Sequence, residues 1–460
     1  MADRSYDLVV VGGGTAGLVT AAGAAALGAT VALVERAALG GDCLWAGCVP
    51  SKALIAFARR RNEGGAGGWT DAATWMRAAR ERVAHHDSPE RFRGMGIDVV
   101  FGAARLAGPG RVNVDGRVLQ TRRLVLATGA IPSVPPIAGL EEAGYLTYQS
   151  ALEQATSPES LLVLGGGPIG LEYAQTYARL GTRVTVLELL PEVLPREDPA
   201  VGRLIRERLT AEGVVVRTGV RVARACREGR LKAAYGDDGE RFTASEIFVA
   251  AGRRPEVAEI EPGRAGVELD RGAVRVNRRL ETTQRGVWAA GDVTGGLQFT
   301  HVADYMARIV VQNALTPLKA QADYRVVPWV TFTDPEVARV GLTLEEARAT
   351  GERCEEYGYD FADLDRAIVD GSDTGFCKVV TRPNGRILGA TIVARGAGEM
   401  IMIVALAMRH GVPLPRLARA VFPYPTMSEI VRRTADGWYR AKYGATWRGR
   451  WLRRALRWWR

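Results

Sequence analysis

The sequence predicts an α/β chain of two Rossmann-like domains followed by a C-terminal α+β domain. Three observations carry that expectation. A pattern of strand, glycine turn, helix, strand and acid occurs twice; after about Tyr324 the pattern changes to alternating strands with no further glycine fingerprint; and 460 residues exceed what one hydrophobic core organises.

The first copy opens at residues 7–11, an apolar run that reads as a buried parallel strand. Gly12-x-Gly14-x-x-Gly17 follows, then an alanine-rich helix whose small residues pack closely on a sheet, then a strand over 30–34 ended by Glu35. The second copy runs from a strand over 161–164 through Gly165-x-Gly167-x-x-Gly170 to a strand over 183–187 ended by Glu188. In both copies the acid stands eighteen positions after the last glycine. The glycines permit a tight turn and close approach of a pyrophosphate to a helix amino terminus, while the carboxylate accepts from ribose hydroxyls. One such motif is weak; two in matched context predict two nucleotide sites.

The other elements fit around these copies. Residues 123–130 read as a strand running into Thr128-Gly129-Ala130, 131–136 as a proline-broken link, and 151–160 as the lead into the second copy. A strand over 247–255 closes that copy and contains Ala251-Gly252-Arg253-Arg254-Pro255. Residues 287–292 give another strand, with Asp292 at its acidic end, before a helix over about 302–314 whose amino terminus would stabilise negative charge. Beyond Tyr324, strands over 326–331 and 377–381 accompany helices over 344–349 and 398–408.

The chemistry concentrates in Gly40-Gly41-Asp42-Cys43-Leu44-Trp45-Ala46-Gly47-Cys48-Val49-Pro50-Ser51-Lys52. A disulfide needs α-carbons roughly 4.4–6.8 Å apart, which thiols five positions apart do not reach on a regular helix, so Gly41 and Gly47 are expected to loosen the backbone. Pro50 suits a first helical turn. A helix beginning near Val49 would aim amide hydrogens and positive dipole at Cys48 and favour its thiolate. Cys48 is thus the better charged thiol, and Cys43 the better candidate for exchange with an outside substrate. Five cysteines in this length are too few for a stapled secreted framework, and Cys226, Cys354 and Cys377 read as buried or idle.

With 47% hydrophobic and 24% charged residues the chain is an ordinary globular one. The longest apolar stretches, such as 401–408, fall far short of a membrane span, and residues 1–6 leave no room for a secretory signal, so a cytoplasmic location is expected. The net charge of +10 is spread over scattered arginines without a nucleic-acid motif; it suits attraction of anionic dinucleotides.

On these residues the chain resembles the flavoprotein disulfide reductases (class I pyridine nucleotide-disulfide oxidoreductases), the family of dihydrolipoamide dehydrogenase, glutathione reductase and mercuric reductase. The double fingerprint, the CxxxxC-x-P-S-K run and the Ala289-Ala290-Gly291-Asp292 element occur in the family's order. The resemblance implies FAD-binding parts at 1–150 and 278–323, an NAD(P)-binding domain at 151–277, a C-terminal dimerisation domain at 324–446 and a basic aromatic tail at 447–460. It implies FAD on Gly12, Gly14, Gly17, Glu35, Gly41, Thr128, Gly129 and Asp292, and nicotinamide nucleotide on Gly165, Gly167, Gly170, Glu188 and Gly252. It further implies that Lys52 lies near flavin N5 and pairs with Glu172, for which the plain alternative is a solvated helix carboxylate. Electrons would pass from reduced nicotinamide through flavin to Cys48, and from the resulting dithiol outward through Cys43.

The chain departs from the family near its carboxyl end. Disulfide-exchanging members carry a His-Pro-Thr run whose histidine, steadied by a following glutamate, manages the thiol proton. Here the run is Phe422-Pro423-Tyr424-Pro425-Thr426-Met427-Ser428-Glu429, with Tyr424 at the histidine position. A tyrosine with an ordinary pKa of about 10 is a poor base at neutral pH compared with histidine at about 6.5, and acid–base catalysis commonly contributes roughly 10²–10⁴-fold. Rapid turnover of dihydrolipoamide or glutathione disulfide is therefore disfavoured. Mercuric reductase is similar in placing a tyrosine there, which makes a soft metal ion the most attractive acceptor. Mercuric reductases also carry a vicinal cysteine pair near the chain end, and many an amino-terminal metal-binding domain; neither is expected here. Glu188 favours NADH, because a carboxylate repels the extra phosphate of NADPH, although Arg183 and Arg196 stand close enough in sequence to weaken the preference.

The family is dimeric, and the Tyr424 segment of one subunit is expected to complete the other's site. A divergent dihydrolipoamide dehydrogenase or small-disulfide reductase is the alternative enzyme. The alternative of another class is a flavin-bearing membrane- or partner-interaction protein acting through its tail, where Trp447, Trp451, Ala455 and Trp459 form a helical stripe amid arginines. His85 and His86 are adjacent and are expected to face different directions on a helix, so they share no metal.

Overall fold

The computed structural model describes residues 5–444 and 446–459, and the chain divides into two compact units. The first comprises the residues up to Gly165 together with Thr176–Val184 and Val222–Asp323; the second comprises Gly166–Gln175, Thr185–Arg221 and the residues from Tyr324 onward.

At the centre of the first unit lies a five-stranded parallel sheet in the order Val287–Ala289, Leu124–Leu126, Leu8–Val11, Val31–Glu35, Asp98–Phe101. Its strands are nearly continuous Val, Leu and Ala because both faces are buried. The helix Thr15–Ala26 crosses between the strands of the first fingerprint, and its alanines allow the close approach the sequence foretold. A mixed sheet of Ser5–Tyr6, Arg117–Thr121, Arg111–Val114 and Ala104–Leu106 shares this core through Leu106, Val112, Val114 and Leu119. The strands Ser160–Leu164 and Glu246–Val249 pair in parallel, and Val222–Glu228, Leu231–Gly236 and Arg241–Ala244 form an antiparallel sheet.

In the second unit the strand Arg183–Glu188 pairs in parallel with Val215–Thr218 from Thr185 onward. An antiparallel sheet of five strands follows, ordered Pro328–Thr331, Glu336–Gly341, Ile387–Ala394, Phe376–Thr381, Glu355–Asp360. The helices Ala397–Arg409 and Glu429–Tyr443 bury Ile401, Val404, Ile430 and Val431 against it.

Three expectations are corrected. The strand expected over 123–130 stops at Leu126, and the supposed proline-broken link begins with the strand Ala130–Pro132, which pairs with Arg253–Pro255. The closing strand expected over 247–255 is likewise two, Glu246–Val249 and Arg253–Pro255, because Gly252 turns the chain at a φ of +109°. His85 and His86 lie in a single 3₁₀ turn with ring centroids 3.8 Å apart, so their rings meet rather than diverge. Among the described residues no group of His, Cys, Asp or Glu is arranged to hold a metal ion, and no helix is long and apolar enough to cross a membrane.

Candidate active site

The dithiol turn is held against the first glycine fingerprint. Gly41 has a φ of +57°, and a Cβ there would stand 2.6 Å from the Gly14 α-carbon, so only glycine lets the two turns meet. A short helix, Gly41–Trp45, carries Cys43 and ends where the amides of Ala46 and Gly47 both bond the Asp42 carbonyl. A second helix, Cys48–Asn62, starts at Cys48 itself, one residue before the expected position. The break at Ala46 and Gly47 frees the two sulfurs from helical spacing, as the sequence demanded. Lys52 follows Cys48 by four residues and so stands on the same helical face.

Both cysteines are thiols in this structure, Cys48 exposed and Cys43 half-buried. Exposure thus runs opposite to the outward role expected for Cys43, and protonation becomes the better guide. The hydrogen bond with Cys48 is the largest influence on the Cys43 thiol and, with burial and the negative charge of Asp42, pushes its pKa far above the ordinary thiol range. Of the two thiols, Cys43 is thus the one whose surroundings oppose loss of its proton. The helix after Asp292 begins at Thr300, two residues earlier than expected, and the Thr300 hydroxyl lies 3.3 Å from the Cys48 sulfur. Cys48 thus sits at the amino end of one long helix and beside the first residue of another, where negative charge is favoured.

A charge cluster missed in the sequence surrounds this pair. The Asp42 carboxylate accepts from the Tyr148 hydroxyl at 3.0 Å, the Gln149 amide at 3.1 Å and the Arg253 guanidinium at 2.8 Å. The same Arg253 nitrogen lies 3.3 Å from Asp292. Burial works against the Arg253 charge, but Asp42, Tyr148, Asp292 and Cys48 together raise its pKa above the ordinary value. Burial lifts the Asp292 carboxyl above its usual range against the opposing pull of Arg253. Burial, with the charge of Asp42, raises the Tyr148 hydroxyl above its ordinary range. Asp42 and Arg253 stand inside runs the sequence had already singled out; Tyr148 carried no local signal.

The two fingerprints repeat to the atom. Glu35 accepts from the Gly13 amide at 2.7 Å and the Ala37 amide at 2.8 Å; Glu188 accepts from the Gly166 amide at 2.6 Å and the Leu190 amide at 2.7 Å. Added Cβ atoms would meet the Ala127 carbonyl oxygen at 2.2 Å from Gly12, and the Gly12 carbonyl oxygen at 1.8 Å from Gly17. Gly165 repeats this with the Ala250 carbonyl oxygen at 2.6 Å. The helix Thr15–Ala26 has no side-chain cap and no acid in its first turn, so its amide donors suit a pyrophosphate, and the residues present fit a flavin dinucleotide. Thr128 donates to the Glu256 carbonyl at 2.5 Å, with Gly129 next to it at a φ of +77°. Gly167 is open to a Cβ, while Gly170 is buried in the helix Pro168–Arg179.

In the second unit Glu172 is 4% exposed and accepts from the Phe332 amide at 2.8 Å, so it is a buried carboxylate rather than a solvated one. Tyr424 is 68% exposed and donates to Asp365 at 3.0 Å. That bond raises its pKa, with the Asp365 charge adding to it. Glu429 does not reach Tyr424: its carboxylate pairs with Arg432 and with Arg433 at 3.2 Å. Cys377 is buried and its thiol is pushed up to about 12 by that burial.

A dithiol fastened to a glycine turn after the central strand of a parallel sheet defines a two-electron redox enzyme fed by a nucleotide cofactor. The chain belongs to the pyridine nucleotide-disulphide oxidoreductases: residues 6–307 match that family and residues 327–435 match its dimerisation domain, which supports a homodimer. It is an FAD-dependent enzyme driven by NAD(P)H. It is 35% identical to a mercuric reductase of Streptomyces lividans, covering 95% of this chain and 96% of that one. It is also 35% identical to a dihydrolipoyl dehydrogenase of Thermus scotoductus, covering 94% and 97%. Among solved structures it is similar to the Cu(II) complex of the HOCl-induced flavoprotein disulfide reductase RclA from Escherichia coli, at a TM-score of 0.88 and 31% identity, covering 94% of this chain and 99% of that chain.

Proposed function

We propose that this enzyme passes electrons from NADH through the Cys43–Cys48 couple to a soft metal ion. The observation that supports this most is the absence of an imidazole from the Tyr424 motif, and the surroundings that raise the pKa of the Cys43 thiol agree with it. An exchange reaction with an organic disulfide needs a base to make the attacking thiolate. A thiophilic cation needs none, because binding to sulfur itself expels the thiol proton. The relatives named mercuric reductase and the Cu(II) complex of RclA agree with that class of acceptor.

Bound FAD, held on Gly12, Gly14, Gly17, Glu35, Gly41, Thr128, Gly129 and Asp292, supplies two-electron carriage between nicotinamide and sulfur. The protein's own groups do the rest. When the sulfur–sulfur bond takes two electrons it breaks, Cys48 keeps the negative charge at its helix terminus, and Cys43 takes one proton. A divalent mercury ion then accepts two electrons, or two Cu²⁺ ions one each, the Cys43 proton leaves and the disulfide re-forms. Lys52 is the group assigned to hold positive charge where hydride arrives. Gly165, Gly167, Gly170, Glu188 and Gly252 hold the nicotinamide nucleotide, and Glu188 sets the preference for NADH; a higher kcat/KM with NADPH would overturn that assignment. In the homodimer the Tyr424 segment, with its hydroxyl on Asp365, completes the partner subunit's site.

The test is stopped-flow reduction by NADH followed by mixing with Hg²⁺, Cu²⁺, lipoamide, glutathione disulfide or a quinone, with Cys43→Ser as control. The metal ions should reoxidise the dithiol at least about a hundredfold faster than the disulfides, within the span that a missing acid–base catalyst accounts for. Lipoamide as fast as the metals would instead establish the second reading, a dihydrolipoyl dehydrogenase, which the Thermus relative favours.

A further inference from the structure

The helix Trp447–Trp458 takes no part in the chemistry above, yet its surface is organised. Thr446 caps it by accepting from the Gly449 amide at 3.3 Å. Trp451, Ala455 and Trp458 recur at i, i+4 and i+7 and form one face; Arg450, Arg454 and Arg457 each precede them by one residue and form the neighbouring face. All six are exposed, Trp451 by 65% and Trp458 by 95%. Indoles left this open are not core residues, and monomeric surfaces seldom display them in a row. Residues 447–460 contain six arginines and no aspartate or glutamate.

We propose that this helix docks the enzyme on an anionic phospholipid surface, lying in the headgroup plane with Trp451 and Trp458 inserted and Arg450, Arg454 and Arg457 against lipid phosphate. Charge selects this occupant. A second copy of the helix would bring arginine rows together with no acid in the segment to answer them. A polyanion in water would satisfy the arginines and leave the indoles wet. A bilayer interface alone offers apolar depth beside a negative plane, and twelve residues are far too few to span it, so the contact is peripheral.

The test is cosedimentation of the full chain with phosphatidylcholine vesicles and with vesicles containing phosphatidylglycerol, beside a chain ending at Tyr443. The full chain should bind the phosphatidylglycerol vesicles at least about tenfold more tightly, with a blue shift of tryptophan emission, and should release them at high salt. The chain ending at Tyr443 should lose binding while keeping NADH oxidation. Arg450→Gln, Arg454→Gln and Arg457→Gln should each weaken binding about fivefold, from roughly 1 kcal/mol per basic residue. Trp451→Ser with Trp458→Ser should abolish the emission shift in a chain of full length. Equal binding to both vesicles, undiminished binding by the shortened chain, or a dimer that dissociates on shortening without any vesicle binding would each overturn the proposal, the last in favour of an arm between subunits.

Discussion

The turn that carries Cys43 and Cys48 and the segment that carries Tyr424, to which we assign the two ends of the dithiol chemistry, are built on opposite plans. The dithiol turn is crowded with partners: Asp42 alone is bonded by Tyr148, Gln149 and Arg253, and Thr300 approaches Cys48. The Tyr424 side chain is mostly in solvent with its hydroxyl given to Asp365, and Glu429 is given to arginines. The difference teaches where proton control resides. The half-buried, charged turn carries the groups that set the Cys43 proton, and in the tyrosine segment the hydroxyl is already given to a carboxylate.

Substitutions can break that contrast, beginning with the largest effect. Cys48→Ser should lower NADH-driven turnover with any acceptor about a thousandfold or more, as loss of a nucleophile that acts as a unit with its partners does. Retention of more than a tenth of the rate in a steady-state assay would show that electrons bypass the turn. Arg253→Met leaves Asp42 and Asp292 facing each other without their cation, which should cost about 3 kcal/mol at neutral pH in a denaturant titration. The sign with pH is fixed. Without Arg253 the Asp292 carboxyl lies still further above its unfolded value, so the variant's deficit is full above that raised pKa and shrinks as pH falls and the carboxyl protonates. A deficit that grows on acidification would contradict the role given to Arg253.

A finer separation concerns the two sulfurs. In the reduced protein at pH 7, iodoacetamide mapped by mass spectrometry should modify Cys48 at least about tenfold faster than Cys43. The preference for Cys48 should persist past the ordinary thiol value of about 8.5, because the raised pKa keeps Cys43 protonated there. Equal rates at pH 7 would remove the distinction between the thiols. Smallest of all, Tyr424→Phe should change metal-dependent turnover by less than about threefold; a loss of a hundredfold would restore an acid–base role to that segment.

What could be read in advance follows the same divide. The parallel sheet, both fingerprints and the dithiol turn were legible because glycine, strand and acid spacings are local and strict. Even the need for Gly41 was visible, although its reason, contact with Gly14, was not. The Asp42–Arg253–Asp292 cluster was hidden because its members lie far apart in the chain and meet only when Arg253–Pro255 pairs with Ala130–Pro132. That short pairing was itself masked by prolines that read as a break. Neither the partner of Tyr424 nor those of Glu429 could be foreseen, since spacing within a motif does not say which side chain a carboxylate meets.

The central claim is that the Cys43–Cys48 bond is the store that NADH fills. The most direct measurement is a thiol count on the denatured protein before and after one equivalent of NADH is added without oxygen. Of five cysteines, three should titrate before and five after, with the two new thiols mapped to Cys43 and Cys48. Complete oxidation of NADH with the count unchanged at either value would contradict the account.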